Sequence, residues 1–192
     1  MNKVVGQAKA ALATNPRYCI RKMYLSDVDR VAELDPIVFG EMHWTRNIFT
    51  NELANPNASY FVASKLDEAG VDTSEVLGYG GAWHVLDEMH IMTLGTDPDY
   101  RRQKIAESII IALIADAIAA KIKSISLEVR LSNAAAQKLY ARYDFQQQGI
   151  RKNYYESDGE SALILWTPDI QTDEFQKNYL KQLDALSMPQ AS

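Results

Sequence analysis

The chain reads as strand, two helices, three strands, helix, strand, helix and two strands. Hairpin-linked strands followed by strand–helix–strand crossovers demand a mixed sheet with helices on both faces. Residues 18–24 (YCIRKMY) and 59–65 (SYFVASK) alternate as strands. Ser26 with Asp29 resembles a capping box, and Val28, Val31, Ala32 and Leu34 form a helical stripe ending near Pro36. Thr45 is a second N-cap candidate, with Ile48, Phe49 and Leu53 on one face of a short helix. A polar connection at 66–75 precedes two tightly joined strands, 76–86 and 88–96, the second ending at the turn signal Asp97-Pro98. The longest helical run is 105–121; residues 124–130 form a strand, 132–143 a helix, and 145–154 and 161–167 the last strands.

With 192 residues, 47% of them hydrophobic and 23% charged, the chain has the size and apolar content of one globular domain with a tail. A net charge of −5 gives no bulk electrostatic footprint for nucleic acid or an anionic membrane. One cysteine, Cys19, excludes an internal disulfide and a multi-cysteine zinc site, and with three histidines no metal is expected. The most apolar stretch, residues 108–115 (SIIIALIA), is too short to cross a bilayer, and the first sixteen residues lack a continuous apolar core for a secretory signal. The expectation is a cytoplasmic protein. Residues 1–16 read as a loosely held arm, 17–169 as the body, and 170–192 as a tail with Phe175, Tyr179, Leu183 and Leu186 at helical spacing. That spacing suits a helix docked on the body or one that takes a partner.

Two segments carry chemistry. Residues 93–106 join a strand, the turn DPDY and RRQKIA at a helix start. Unpaired first-turn amides and the helix dipole suit a phosphate there, and Arg101, Arg102 and Lys104 add positive charge. In LEVRLSNAAAQKLY (127–140), Glu128 lies on a strand, while Asn133 and Tyr140 stand seven residues apart on the next helix, sharing a face. From the residues alone, a surface carboxylate, a helix-start residue and a core-edge aromatic is the other reading.

Residues 88–167 resemble the GCN5-related N-acetyltransferase superfamily, and within it the RimI-like branch of ribosomal-protein alanine N-acetyltransferases. The resemblance rests on LDEMHIMTLGTDPDYRRQKIA, ISLEVRLSNAAAQKLYARYDF and IRKNYYESDGESALIL in that order, with HWT at 43–45 matching an early helix start. It implies a mixed α/β fold: a mostly antiparallel sheet of about seven strands, about four flanking helices, and strands four and five splayed around the pantetheine of acetyl-CoA. Leu94, Gly95 and Thr96 would meet the pantetheine. Arg101, Arg102, Gln103, Lys104, Ile105 and Ala106 would form the pyrophosphate loop, and Asn133 would contact the same co-substrate. Lys104 stands where the family has glycine, so a Cβ enters a position where φ > 0 costs of order 1 kcal/mol. Asp144 replaces a glycine after the helix, a milder departure.

The resemblance also implies Glu128 as general base for the acceptor amine and Tyr140 as general acid for the departing thiolate. Trp44, Tyr154 and Tyr155 would line a peptide slot, though each also suits ordinary packing. His90, alternating with Met92 and Leu94, either faces the substrate amine or is a satisfied structural histidine, and Asp87 with Glu88 could attract a protonated N-terminus. The implied activity is acetyl transfer to a protein N-terminal α-amine, with alanine of a small-subunit ribosomal protein as one acceptor and no direct nucleic-acid or membrane partner. A lysine side chain, a small amine, or a non-catalytic domain that binds acyl-CoA or a partner protein are the alternatives.

Overall fold

In the computed structural model, which describes residues 3–187, seven strands form one sheet in the order β1-β2-β3-β4-β5-β7-β6. They are β1 (Tyr18–Lys22), β2 (Ala58–Leu66), β3 (Asp72–Val85), β4 (Glu88–Thr96), β5 (Ser124–Arg130), β6 (Gln146–Tyr155) and β7 (Glu160–Trp166). Neighbours are antiparallel except β4 and β5, which run parallel. The described residues form six α-helices: α1 (Lys3–Leu12), α2 (Val28–Phe39), α3 (Arg46–Ala54), α4 (Ile105–Ala119), α5 (Ala134–Ala141) and α6 (Asp173–Ser187). The sheet is the one expected, and the helices exceed the expected four because both terminal segments fold. Residues 3–12, read as part of a loose arm, are helical; residues 188–192 of the tail lie outside the described residues.

The reason lies in α4. Ile109, Ile110, Ile111, Leu113 and Ile114 leave it no polar face, and a helix apolar all round must be covered on every side. The sheet covers one side. On the other, Val4, Val5 and Ala8 of α1 join Phe175, Tyr179 and Leu183 of α6 in the same core, and the Tyr179 hydroxyl donates to the Ile111 carbonyl at 2.9 Å. The opposite sheet face is closed by α2 and α3, which pack Val28, Val31, Leu34 and Phe49 against Tyr60, Val62 and Tyr79.

Local details depart from the sequence reading where a charged partner competes. No capping box forms between Ser26 and Asp29; instead the buried Asp27 carboxylate accepts from the Tyr24 amide at 2.7 Å and from the Arg21 guanidinium at 2.7 and 2.9 Å. Pro36 sits inside α2, which ends at Gly40 with φ +61°. β3 starts at Asp72, inside the segment expected to be loop, where the Asp72 carboxylate accepts from Arg21 and Ser64.

The functional feature of the sheet is an interrupted pairing. β4 and β5 pair only from Glu88↔Ser124 to Ile91↔Leu127. A register shift between Gly81 and Ala82 leaves Met92 of β4 as an extra residue opposite β3, and such a bulge bends its strand. Beyond it β4 follows β3, while β5 follows β7 through Glu128↔Ile164, Val129↔Leu163 and Arg130↔Ala162. The two strands part as a wedge.

Since α6 completes the cover over α4, Phe175→Ala should destabilise the whole domain by about 3–5 kcal/mol. Differential scanning calorimetry should then record one transition lowered by roughly 6–20 °C. An unchanged Tm would show α6 to be dispensable.

Candidate active site

The wedge exposes backbone on β4 at Leu94, Gly95 and Thr96, the three residues expected to meet pantetheine. Gly95 is buried with the Tyr79 ring behind it, and a Cβ there would lie 2.6 Å from that ring. Tyr79 is itself pinned by a hydrogen bond to the buried carboxylate of Asp35, whose pKa burial raises. Glycine thus lets an aromatic ring support the strand from below. The Thr96 hydroxyl is buried without a hydrogen-bond partner among the described residues, a polar atom that a ligand in the wedge could satisfy.

At the end of β4 the chain makes a short turn capped by Asp97, which accepts from the Asp99 amide, and enters α4. The first intrahelical bond runs from the Ser108 amide to the Lys104 carbonyl at 2.9 Å, so the Ile105, Ala106 and Glu107 amides precede the ladder and point outward. A cavity of about 300 Å³ lies there, lined by Thr96, Arg101, Arg102, Lys104, Ala106 and Arg142, among others. Arg101 and Arg102 are exposed, whereas Arg142 is oriented by the buried Glu107 at 2.8 Å, which also accepts from the Tyr143 hydroxyl at 3.0 Å. The amides, the dipole and three arginines make this end of the wedge an anion cradle. Gln103 faces the other way, its carbonyl accepting from the Tyr18 hydroxyl at 3.1 Å, and Ile105 is buried in the core. Lys104 adopts the left-handed conformation, φ +63° and ψ +15°, as its glycine-like position implied; Asp144 does likewise at φ +60°.

Glu128 stands where β5 leaves β4. One carboxylate oxygen is 2.9 Å from His90 Nε2, the other 3.2 Å from Arg151. His90 Nδ1 is in turn 2.8 Å from the Ser126 hydroxyl. The His90 hydrogen bond, outweighing desolvation, holds the Glu128 carboxyl below the usual range, with Arg151 adding to the effect. Tyr140 is buried on α5 against Phe145, ring centroids 5.6 Å apart, and burial pushes its phenol well above the ordinary value. Its hydroxyl has no hydrogen-bond partner among the described residues. Tyr155 lies within electrostatic reach of both Tyr140 and Glu128, and burial pushes it up to about 12.

The mouth of the wedge is aromatic and cationic. Tyr154 and Tyr155 pack edge to face at 5.1 Å; Arg151 lies 5.1 Å from the Tyr154 ring centre and Arg130 3.8 Å from that of Tyr155. Arg130 is fixed by Asp158 and Glu160 at 2.7 and 2.8 Å and reaches Met42 Sδ at 4.0 Å, which brings the segment after α2 to the same mouth. Trp44 packs on Phe49 at 5.5 Å, half-buried, and its amide donates to Asp35.

Asn133 caps α5, its side-chain oxygen accepting from the Ala136 amide at 3.1 Å, the helix-start role that its residue type allows. Asp87 is bound to Lys123 at 2.8 Å, and Glu88 begins the closed end of the β4–β5 pairing, so neither reaches the open end. His90, for which the sequence left two readings, is the hydrogen-bonded partner of Glu128. Its alternation with Met92 and Leu94 was visible, but the partner lies 38 positions away on a parallel strand. Arg142 and Arg151 gave no sequence signal beyond their charge.

Comparison with known proteins places this geometry. A sequence model of the acetyltransferase (GNAT) family matches residues 3–145. A Bacillus subtilis protein assigned provisionally as a [ribosomal protein bS18]-alanine N-acetyltransferase is 38% identical over 148 residues, covering 77% of this chain and 93% of that protein. The crystal structure of the Escherichia coli ribosomal-protein-S18-alanine N-acetyltransferase superposes with a TM-score of 0.69 at 26% identity, covering 79% of this chain and 94% of that one. Arabidopsis thaliana NAA60 in complex with acetyl-CoA has the same TM-score of 0.69 at 19% identity over 79% of this chain and 98% of its own, a likeness of fold. With a wedged sheet, an anion cradle at its end and a family match across three quarters of its length, the chain belongs to the acetyltransferase (GNAT) family.

Proposed function

We propose that this chain acetylates the N-terminal α-amine of a protein, with alanine of a small-subunit ribosomal protein as acceptor. The observation that carries the reading is the wedge itself, whose one end is a cationic phosphate cradle and whose other end holds an ionised carboxylate. The ribosomal acceptor is supported by what the bacterial relatives are named for.

Acetyl-CoA fits the residues present. Its pyrophosphate would take the Ile105–Glu107 amides with Arg101, Arg102 and Arg142, and its pantetheine would run along Leu94, Gly95 and Thr96, where the Thr96 hydroxyl lacks a partner. The thioester supplies an activated acyl group, so no covalent enzyme intermediate is required. The acceptor enters past Met42, Trp44, Tyr154 and Tyr155 as an ammonium of pKa about 7.7–8.0. Glu128, ionised and half-buried, attracts that ammonium and takes its proton, directly or through one water. The nitrogen lone pair then forms the C–N bond, the C–S bond breaks, and the sulfur leaves with the electron pair; the nitrogen's second proton is lost as the amide forms and makes good the proton that Tyr140 gives up. Tyr140, kept protonated by burial, gives its proton to that sulfur. His90 orders the base: with Nε2–H donating to Glu128, Nδ1 accepts from the Ser126 hydroxyl, so the ring has one orientation.

Mass spectrometry of an Ala-starting peptide incubated with protein and acetyl-CoA should show a single added acetyl group on the N-terminus. An N-blocked, lysine-containing peptide should remain unmodified; modification of the blocked peptide alone would move the acceptor to a side-chain amine. Glu128→Gln and Tyr140→Phe should each slow acetylation by about 10²–10⁴-fold while leaving acetyl-CoA affinity near normal. A rate untouched by both substitutions removes the two proton transfers.

His90→Ala has a signed pH consequence. The His90 hydrogen bond lowers the pKa of Glu128, so the carboxylate keeps its basic form to lower pH than an ordinary glutamate does. Without His90 that form is lost at higher pH, and the acid limb of the kcat/KM profile should move upward. An unmoved or downward-shifted limb would separate His90 from the base.

A further inference from the structure

A left-handed lysine at the head of the most buried helix calls for something that holds it there. Lys104 has φ +63°, a conformation in which Cβ approaches the following carbonyl oxygen, and its neighbour Arg102 is also left-handed at φ +60°. Lys104 lines the cradle cavity with the arginines, yet its ammonium is engaged elsewhere. It points to the end of α6, 3.4 Å from the carbonyl oxygens of both Ala185 and Leu186. Those carbonyls belong to the last described turn of α6, toward the negative end of its dipole. α6 opens with Asp173 and Glu174 but has no basic residue of its own in the last turn. Lys104 supplies that cation from 81 residues away.

The loop is held from a second direction. The Tyr18 hydroxyl, fully buried at the start of β1, bonds the Gln103 carbonyl and the Ser108 hydroxyl, both at 3.1 Å. With Gln103 tied to β1 and Lys104 to α6, the two residues before the outward-pointing amides are fixed from outside the wedge.

We propose that Lys104 is a positioning residue for acetyl-CoA: by capping α6 it holds the left-handed turn that aims the Ile105, Ala106 and Glu107 amides, so the C-terminal helix supports the phosphate cradle without touching a phosphate. This rests on the reading of that cradle as the pyrophosphate site. The lysine side chain thereby compensates for the conformational cost that its own Cβ brings to the turn.

A double-mutant cycle tests it by isothermal titration with acetyl-CoA. Lys104→Met removes the cation and keeps the stem. Ala185→Pro, at an exposed side chain, displaces the last carbonyls of α6 because proline drives the preceding residue out of the helical region. Each should weaken binding by about two- to fivefold, the range of a cation at a helix C-terminus. The double variant should be no weaker than either single one, because both break the same contact. Lys104→Arg should restore affinity.

Weakening by Lys104→Met with no effect of Ala185→Pro would make Lys104 a phosphate ligand and overturn the proposal, as would multiplicative effects. Failure of the parent protein to bind acetyl-CoA is a different result, and it would refute the pyrophosphate reading. Hydrogen exchange in the ligand-free protein then still decides the tether. The amides of residues 104–107 should exchange faster in both single variants, and unchanged exchange in either would refute the contact.

Discussion

Four residue pairs join the two halves of the sheet. β1 to β4 form one antiparallel ribbon and β5, β7 and β6 another, and only Glu88–Ile91 against Ser124–Leu127 connects them. A parallel pair needs a crossover, and α4 provides it, which is why the helix is buried along its length. Everything functional depends on how early that pairing stops. If β4 continued straight beyond Ile91, Leu94 to Thr96 would pair with β5 and no backbone would be left for a ligand. The bulge at Met92 turns β4 toward β3, and Tyr79 beneath Gly95 keeps the redirected strand from collapsing into the gap.

Glu128 and Tyr140 show opposed electrostatic solutions. Glu128 is partly buried, yet His90 and Arg151 hold it ionised, so the cost of removing a carboxylate from water is offset by two specific partners. Tyr140 is buried without such a partner and keeps its proton more tightly than an exposed phenol. Environments that push one group toward its charged form and another toward its neutral form are what a proton acceptor and a proton donor at one pH require. A phenol raised this far is a poor donor in the resting protein. In the proposed reaction, negative charge developing on the leaving sulfur would be the change in surroundings that favours release of its proton.

Much of the fold was legible because strands and helices announce themselves locally. β5 spans the same residues in the sequence reading and in the structure, and the β4–turn–α4 segment lies where its turn chemistry put it. Glu128 and Tyr140 could be picked out by alternation and helical spacing once the family resemblance gave them a frame. What was hidden is tertiary. No periodicity indicates that His90 will meet Glu128, because the contact depends on the parallel register of two distant strands. Asn133 carries a local role that its position does announce: an asparagine one residue before a helix meets a free amide, and here it accepts from Ala136. Ser26 and Asp29 failed as a capping box for the reverse reason, since a guanidinium from β1 captured Asp27 between them.

The terminal helices show the same limit from the other side. Residues 3–12 carry small and polar residues, with Gly6 among them, and Phe175, Tyr179 and Leu183 allowed either a docked helix or one that awaits a partner. The deciding information lies in neither segment but in SIIIALIA, at the middle of the chain. A helix with isoleucine on successive positions has no face to offer solvent, and one sheet can cover only half of it. The remaining half fixes how much chain must fold over it, and the two ends of the polypeptide supply that cover. The C-terminal helix thereby ends beside the first turn of the helix it covers, within reach of Lys104. An apolar surplus in the core has thus brought the last described turn of the protein to the anion cradle.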